Sequence, residues 1–230
     1  MADATNLGPV KVSRRPFSVK SQTGFTTMAA ICFFLLYAPL APLVFYSFNA
    51  GTSLAFWEGF SFRWYVAAWE NQEVMDVTIR SIYLAISAAF ISTFLATLAA
   101  LGTTRTRPYR GLTTIYAMIN QPLMVPEIVT AVAVLIFFSS IGMNLGLGNV
   151  IIAHITFCIP FAFMPIRARL EGMDTTLEQA ARDLYATEWE TFRFVTVPLL
   201  MPGIVAGAML AFVISLDDFI ITLMVGGAGS

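Results

Sequence analysis

Five long apolar stretches constrain this chain more than any other feature. Residues 27–48, 82–101, 113–141, 148–166 and 199–225 each read as a membrane-crossing helix, which needs about 20 mostly apolar residues to span a hydrocarbon core of about 30 Å. The third and fifth stretches are longer than one straight crossing requires, so each is expected to tilt, break or extend past the bilayer. Pro122 and Pro126 predict a break in the third, because proline removes a backbone donor and crowds the preceding turn. Only 12% of the 230 residues are charged and 57% are hydrophobic, too few charges to coat a soluble domain. The expected fold is an all-α polytopic membrane protein with five transmembrane helices. Cys32 and Cys158 lie inside apolar runs and are expected to be small buried core residues with no disulfide framework.

The basic residues orient the spans. Lys11, Arg14, Arg15 and Lys20 precede span one; that run is too long for a secretory leader and no small-x-small cleavage site follows it, so it reads as a retained span. Arg105, Arg107 and Arg110 follow span two, and Arg167, Arg169, Arg182 and Arg193 follow span four. Only Arg63 and Arg80 fall in the segment after span one, so eleven basic residues stand against two. Lys and Arg are retained on the cytoplasmic side. The expected arrangement is a cytoplasmic tail over residues 1–26, then a transmembrane domain over 27–230 with residues 49–80 outside. Trp57, Trp64, Tyr65 and Trp69 in that outer segment fit an interfacial aromatic belt beside a short amphipathic helix at about 62–72. An odd number of spans stopping at the glycine-rich run 226–230 predicts a six-helix fold lacking its last helix.

The polar segment 167–198 lies between two spans on the basic side. It reads as two short helices, 176–185 and 188–195, with Thr187 as N-cap of the second and Pro198 ending it. Trp189, Phe192 and Val195 recur at helical spacing and form an apolar stripe, suited to packing on neighbouring span ends or to a partner's groove. The run Glu178-Gln179-Ala180-Ala181-Arg182-Asp183-Leu184-Tyr185-Ala186, with Phe192, Val195, Pro198 and Pro202 after it, resembles the cytoplasmic EAA loop of ABC-importer permeases. In that family the loop forms coupling helices seated in a cleft of a cytoplasmic ATPase subunit. The resemblance therefore implies ATPase coupling through Glu178, Gln179, Ala180, Ala181, Asp183, Tyr185, Trp189 and Phe192. It departs from the family pattern at Gln179, which replaces a glutamate, and at Tyr185, which replaces the turn glycine. Tyrosine adopts a positive φ less readily than glycine, so a differently shaped turn, or support from a different ATPase surface, is expected.

Residues 154–161, 215–219 and 125–129 resemble the permease subunits of spermidine/putrescine importers. The resemblance implies a second permease subunit, ATP-binding subunits, an external solute-binding protein and a polyamine cargo. It implies no cofactor, no nucleic acid and no enzymatic activity of the chain's own, consistent with a sequence free of phosphate loops, metal clusters and nucleophile triads.

Acids inside the spans point the same way. Glu127, Asp217 and Asp218 fall within spans three and five with no Lys or Arg well inside any span. A buried ionised group costs about 2.5–3.5 kcal/mol on insertion scales, so such acids are functional candidates and suit a cation pathway. Along straight helices Glu127 would lie about 21 Å and Asp217 about 27 Å from the cytoplasmic start of their spans. Asp217 and Asp218, as neighbours on one helix, would point about 100° apart, so one of them is free to cap or bond a neighbouring span instead. Phe219, Phe137 and Phe138 are candidate aromatic walls, and His154, the only histidine, is expected to be a hydrogen-bonded packing residue. Gly203 and Gly207, with Ala206 and Ala208, form a small-residue face for close helix packing. The rival readings are a permease for another organic cation or an oxyanion, and a channel or scaffold without an ATPase; only the former explains the striped loop.

Overall fold

A computed structural model describes residues 23–53, 55–105 and 109–227. Lys11, Arg14, Arg15, Lys20, Arg107 and the end of the glycine-rich run lie outside the described residues. Two compact units divide after Gln72. In the first, α1 (Thr23–Tyr37) and α2 (Leu40–Tyr46) are bent by 40° and together cover predicted span one. Pro39 at the start of α2 lacks the N–H that would continue the α1 ladder. Cys32 is exposed on α1 rather than buried, because the α1 surface around it is open apolar surface. The amphipathic helix expected at 62–72 is α3 (Arg63–Glu70). The loop before it is organised by buried Asn49: its Nδ2 donates to the Ser53 and Phe56 carbonyls, and its Oδ1 accepts from the Gly51 and Glu58 amides. An isolated antiparallel bridge joins Asn49 to Phe60.

The second unit opens with all but the first residue of α4 (Gln72–Thr104), which carries a buried stripe of small residues, Ala85, Ala89, Ser92, Ala96, Ala100 and Thr103. Spacings of three and four place these on one helical face. Span three becomes α5 (Leu112–Met124) and α6 (Glu127–Ser140), bent 110° from each other. Of the two prolines expected to break it, only Pro126 does; Pro122 stays inside α5. Val125 is extended (ψ 134), as expected of a residue that precedes proline.

Helix α7 (Leu147–Glu171) packs along α10 (Val197–Asp217). A Cβ on Gly203 would lie 2.7 Å from Arg169 Cβ, and one on Gly207 would lie 2.8 Å from the Ala162 carbonyl oxygen. The small-residue face thus allows backbone-to-backbone approach. Cys158, Ala162, Phe163, Ile166 and Leu170 of α7 form the main core with α4 and α10 residues. A second core joins Ala131 and Phe138 of α6, Ala153 and Phe157 of α7, and Ile221 and Val225 of α11 (Ile220–Val225).

Between α7 and α10 lie α8 (Thr176–Asp183) and α9 (Glu188–Thr191). Pro198 does not end the second loop helix. A π-turn over Phe192–Thr196 joins α9 to α10, so one helical run extends from Glu188 to Asp217. Proline is tolerated because it falls in the first turn of α10, where the hydrogen-bond ladder is already shifted by the π-turn. The helices Gln72–Thr104, Leu147–Glu171 and Glu188–Asp217 are each long and apolar enough to cross a membrane, and the two bent pairs bring the candidates to five. Phe90, Ile136, Met209 and Leu223 are exposed, an apolar exterior fitted to lipid or to another membrane subunit.

Candidate functional site

The three intramembrane acids converge. Glu127, Asp217 and Asp218 line one cavity of about 140 Å³ with Phe157, Phe161 and Ile214. Asp217 and Asp218 also border a cavity of about 380 Å³ that includes Ser81, Ser215, Phe219 and Thr222. Among the described residues, none lining either cavity is basic.

Helix breaks create this convergence. Glu127 opens α6 at the 110° bend, where the positive end of the helix dipole favours a carboxylate. Span five is broken as well: α10 ends at Asp217, Asp218 is extended (ψ 109), and α11 starts two residues later. The two aspartates therefore do not share a helical register, and neither the 100° separation nor the straight-helix depths apply. Asp218 Oδ1 accepts the Ile221 N–H at 2.9 Å, capping the start of α11. Its Oδ2 is buried with no hydrogen-bond partner among the described residues. Discontinuous helices whose termini face a cavity are how transporters place ion and substrate sites inside a bilayer.

Of the expected aromatic walls, Phe219 borders the larger cavity, Phe138 is buried in the α6–α7–α11 core, and exposed Phe137 lines a separate apolar pocket. The rings in the cavity that all three acids share are Phe157 and Phe161, which the sequence reading missed. His154, Phe157 and Phe161 recur at i, i+3 and i+7, a face legible in the sequence once α7 is known to meet both broken helices. His154 is buried and hydrogen-bonded, as expected: Nδ1 lies 2.8 Å from Ser215 Oγ and Nε2 3.0 Å from Thr222 Oγ1.

The loop forms a second site. Tyr185 adopts φ 61, the conformation a glycine would take. The Ala186 N–H donates to the Ala181 carbonyl and the Tyr185 N–H to the Arg182 carbonyl, which is the double bond pattern of a Schellman motif. The turn keeps the shape a glycine would produce despite the substitution. Thr187 caps α9 as expected, in a reciprocal box: its Oγ1 accepts the Glu190 N–H while Glu190 Oε2 accepts the Thr187 N–H. Asp174 Oδ1 accepts the Thr176 N–H ahead of α8, and this bond holds its carboxyl below the usual aspartate range.

Among the expected coupling residues, Gln179, Ala180, Asp183, Tyr185 and Trp189 are exposed, whereas Ala181 and Phe192 are half-buried. Trp189 packs against Phe192 with ring centres 5.7 Å apart and planes tilted by 33°. The π-turn shifts the register of the apolar stripe and leaves Phe194 exposed. Glu178 points inward: Oε1 pairs with Arg105 Nη2 at 3.1 Å and accepts the Thr196 hydroxyl at 3.0 Å. Arg182 joins α8 to α9 through Glu188 at 2.9 Å.

Membrane-length helices broken beside a cluster of acids, two half-buried and one exposed, and joined to a helix–turn–helix with exposed aromatics are the features of a transport permease. Residues 92–230 match the family described as binding-protein-dependent transport system inner membrane component. The chain belongs to this family, the multi-pass inner-membrane permeases of ABC importers. It is 37% identical over 192 residues to the spermidine/putrescine transport system permease protein PotC of Haemophilus influenzae, covering 84% of this chain and 74% of that one. It is 35% identical over 204 residues to the putrescine transport system permease protein PotI of Escherichia coli K12, covering 86% and 73%. PotC of E. coli K12 is 34% identical over 192 residues, covering 84% and 72%.

Proposed function

We propose that this permease subunit conducts polyamines, spermidine or putrescine, into the cytoplasm along the pathway lined by Glu127, Asp217, Asp218 and Phe219. The observation that carries the reading is the meeting of three acids from two broken helices around one cavity walled by Phe157 and Phe161. A polyamine is a row of ammonium groups separated by methylenes. Carboxylates bind the ammonium groups through charge-assisted hydrogen bonds, and phenyl rings accept both the spacers and the cations. A 140 Å³ cavity has room for one ammonium end, so the rest of the cargo would be held by the larger cavity and the second permease subunit. The names of the similar permeases support the same cargo class.

In this reading residues 27–230 are the permease domain, residues 1–26 a cytoplasmic tail and 167–198 the coupling loop. Eleven basic residues against two support a cytoplasmic N-terminus. The exposed face of Gln179, Ala180, Asp183, Tyr185, Trp189 and Phe194 docks on a cytoplasmic ATP-binding subunit. ATP binding there moves the loop, and the continuous run Glu188–Asp217 carries that motion to the acids at its far end. An external solute-binding protein delivers the cargo.

The test is ATP-driven uptake of labelled spermidine and putrescine by the complete complex in proteoliposomes, for wild type and for Glu127→Gln, Asp217→Asn and Asp218→Asn. Uptake should fall about tenfold or more in each variant, the loss expected for a charged hydrogen bond, while assembly is kept. A wild-type complex that hydrolyses ATP yet moves no polyamine would exclude this cargo in favour of another solute.

A further inference from the structure

We infer that His154 is a positioning residue for the cation site, pinning both sides of the α10–α11 break and so setting where the Asp217 and Asp218 carboxylates stand. The inference rests on the proposed role of those carboxylates. Ser215 lies two residues before Asp217 and Thr222 four after Asp218, and the one imidazole reaches both hydroxyls, at 2.8 and 3.0 Å. The bonds form a directed chain. Thr222 Oγ1 donates its proton to the Asp218 carbonyl at 3.2 Å, so it accepts from His154 Nε2–H. A neutral imidazole with its proton on Nε2 accepts at Nδ1, and Ser215 supplies that proton. The chain thus runs from Ser215 through His154 and Thr222 to the backbone of Asp218.

Such a pin is needed because the break removes the helix's own restraint. Helix α11 has six residues, too few to hold a direction without tertiary contacts. Ile221 and Val225 anchor one face of α11 in the α6–α7–α11 core, the Asp218 carboxylate holds its first turn, and Thr222 ties it to α7 through His154. His154 is 0% exposed, so no solvent competes for these bonds. From the same face of α7, Phe157 and Phe161 wall the cavity that His154 helps to shape.

Two measurements on the complete complex in proteoliposomes test this: KM and maximal rate of spermidine uptake, and the alkylation rate of an Asp217→Cys variant in a Cys32→Ser background by a cationic thiol reagent. His154→Leu keeps the bulk and deletes both bonds. It should raise KM about tenfold, the consequence of losing buried hydrogen bonds, and change the alkylation rate severalfold. His154→Gln, which keeps a donor and an acceptor, should restore both readouts in part. Unchanged KM and alkylation in an assembled His154→Leu complex would overturn the inference. Should that variant not assemble, Thr222→Val must reproduce the alkylation change, and no change there overturns it equally. A changed alkylation rate, where the wild-type complex hydrolyses ATP yet moves no polyamine, leaves the pin standing and removes the cargo reading.

Discussion

Tyr185 shows how far one side chain departs from what its backbone position prefers. Its φ of 61 is a conformation that disfavours L-residues by about 1–2 kcal/mol and that glycine adopts freely. The side chain is 97% exposed, so it recovers nothing within the chain. Tyr185→Gly should stabilise the loop by about 1 kcal/mol, measured by thermal unfolding of the purified subunit. If the ring is a docking contact, the same variant will retain less ATPase on co-purification while melting higher. Gly207 is the converse case. A Cβ there meets the Ala162 backbone oxygen at 2.8 Å, and a backbone atom cannot swing aside. Gly207→Val should force α7 and α10 apart and cost about 1–3 kcal/mol, whereas a methyl at Gly102 meets nothing within 4 Å, so Gly102→Ala should be neutral or stabilising in the same assay. The small-residue face was legible in the sequence because glycines four apart lie on one side of any helix. The inward turn of Glu178 was not, because its partner Arg105 is remote in sequence.

At the scale of elements, three pieces of structure meet at Glu178: the end of α4 through Arg105, α8 itself, the helix proposed to dock on the ATPase, and the π-turn through Thr196. Both charged side chains are a quarter or less exposed, at 24% and 15%, so the pair is only partly screened. Motion imposed on α8 therefore reaches α4 directly, as well as α10 through the helical run. Arg105→Glu and Glu178→Arg should each lower polyamine moved per ATP hydrolysed severalfold, and the double reversal should recover part of the coupling, read from paired uptake and phosphate-release measurements. Each single reversal should also lower the melting temperature, since it sets like charges against each other at a site a quarter or less exposed, and the double reversal should recover part of that loss. The elements themselves were largely readable. Span positions, the amphipathic helix, Thr187 as a cap and the break at Pro126 follow from apolar length, capping chemistry and proline sterics. The passage of a helix through Pro198 was not, because a π-turn moves the missing donor to a place where it is tolerated, and no local residue preference announces that shift.

For the whole molecule, sidedness is the property most open to direct test. In a Cys32→Ser background, Ser53→Cys should react with a membrane-impermeant maleimide in intact cells, and Asp183→Cys should react only after permeabilisation; the reverse pattern would invert the proposed topology. The sequence by itself determined the membrane setting, the count of apolar stretches, the charge bias between their ends, the acids among them and the coupling-loop pattern. Each of these is a property of one residue or one short segment, expressed whatever the rest of the chain does. Only the tertiary structure decided that Glu127 meets Asp217 and Asp218, that Phe157 and Phe161 wall their cavity, and that His154 reaches across a break. Those contacts join residues about thirty to ninety positions apart. They depend on a 110° bend and an interrupted helix, whose directions are set by packing between helices rather than by any residue's own preference.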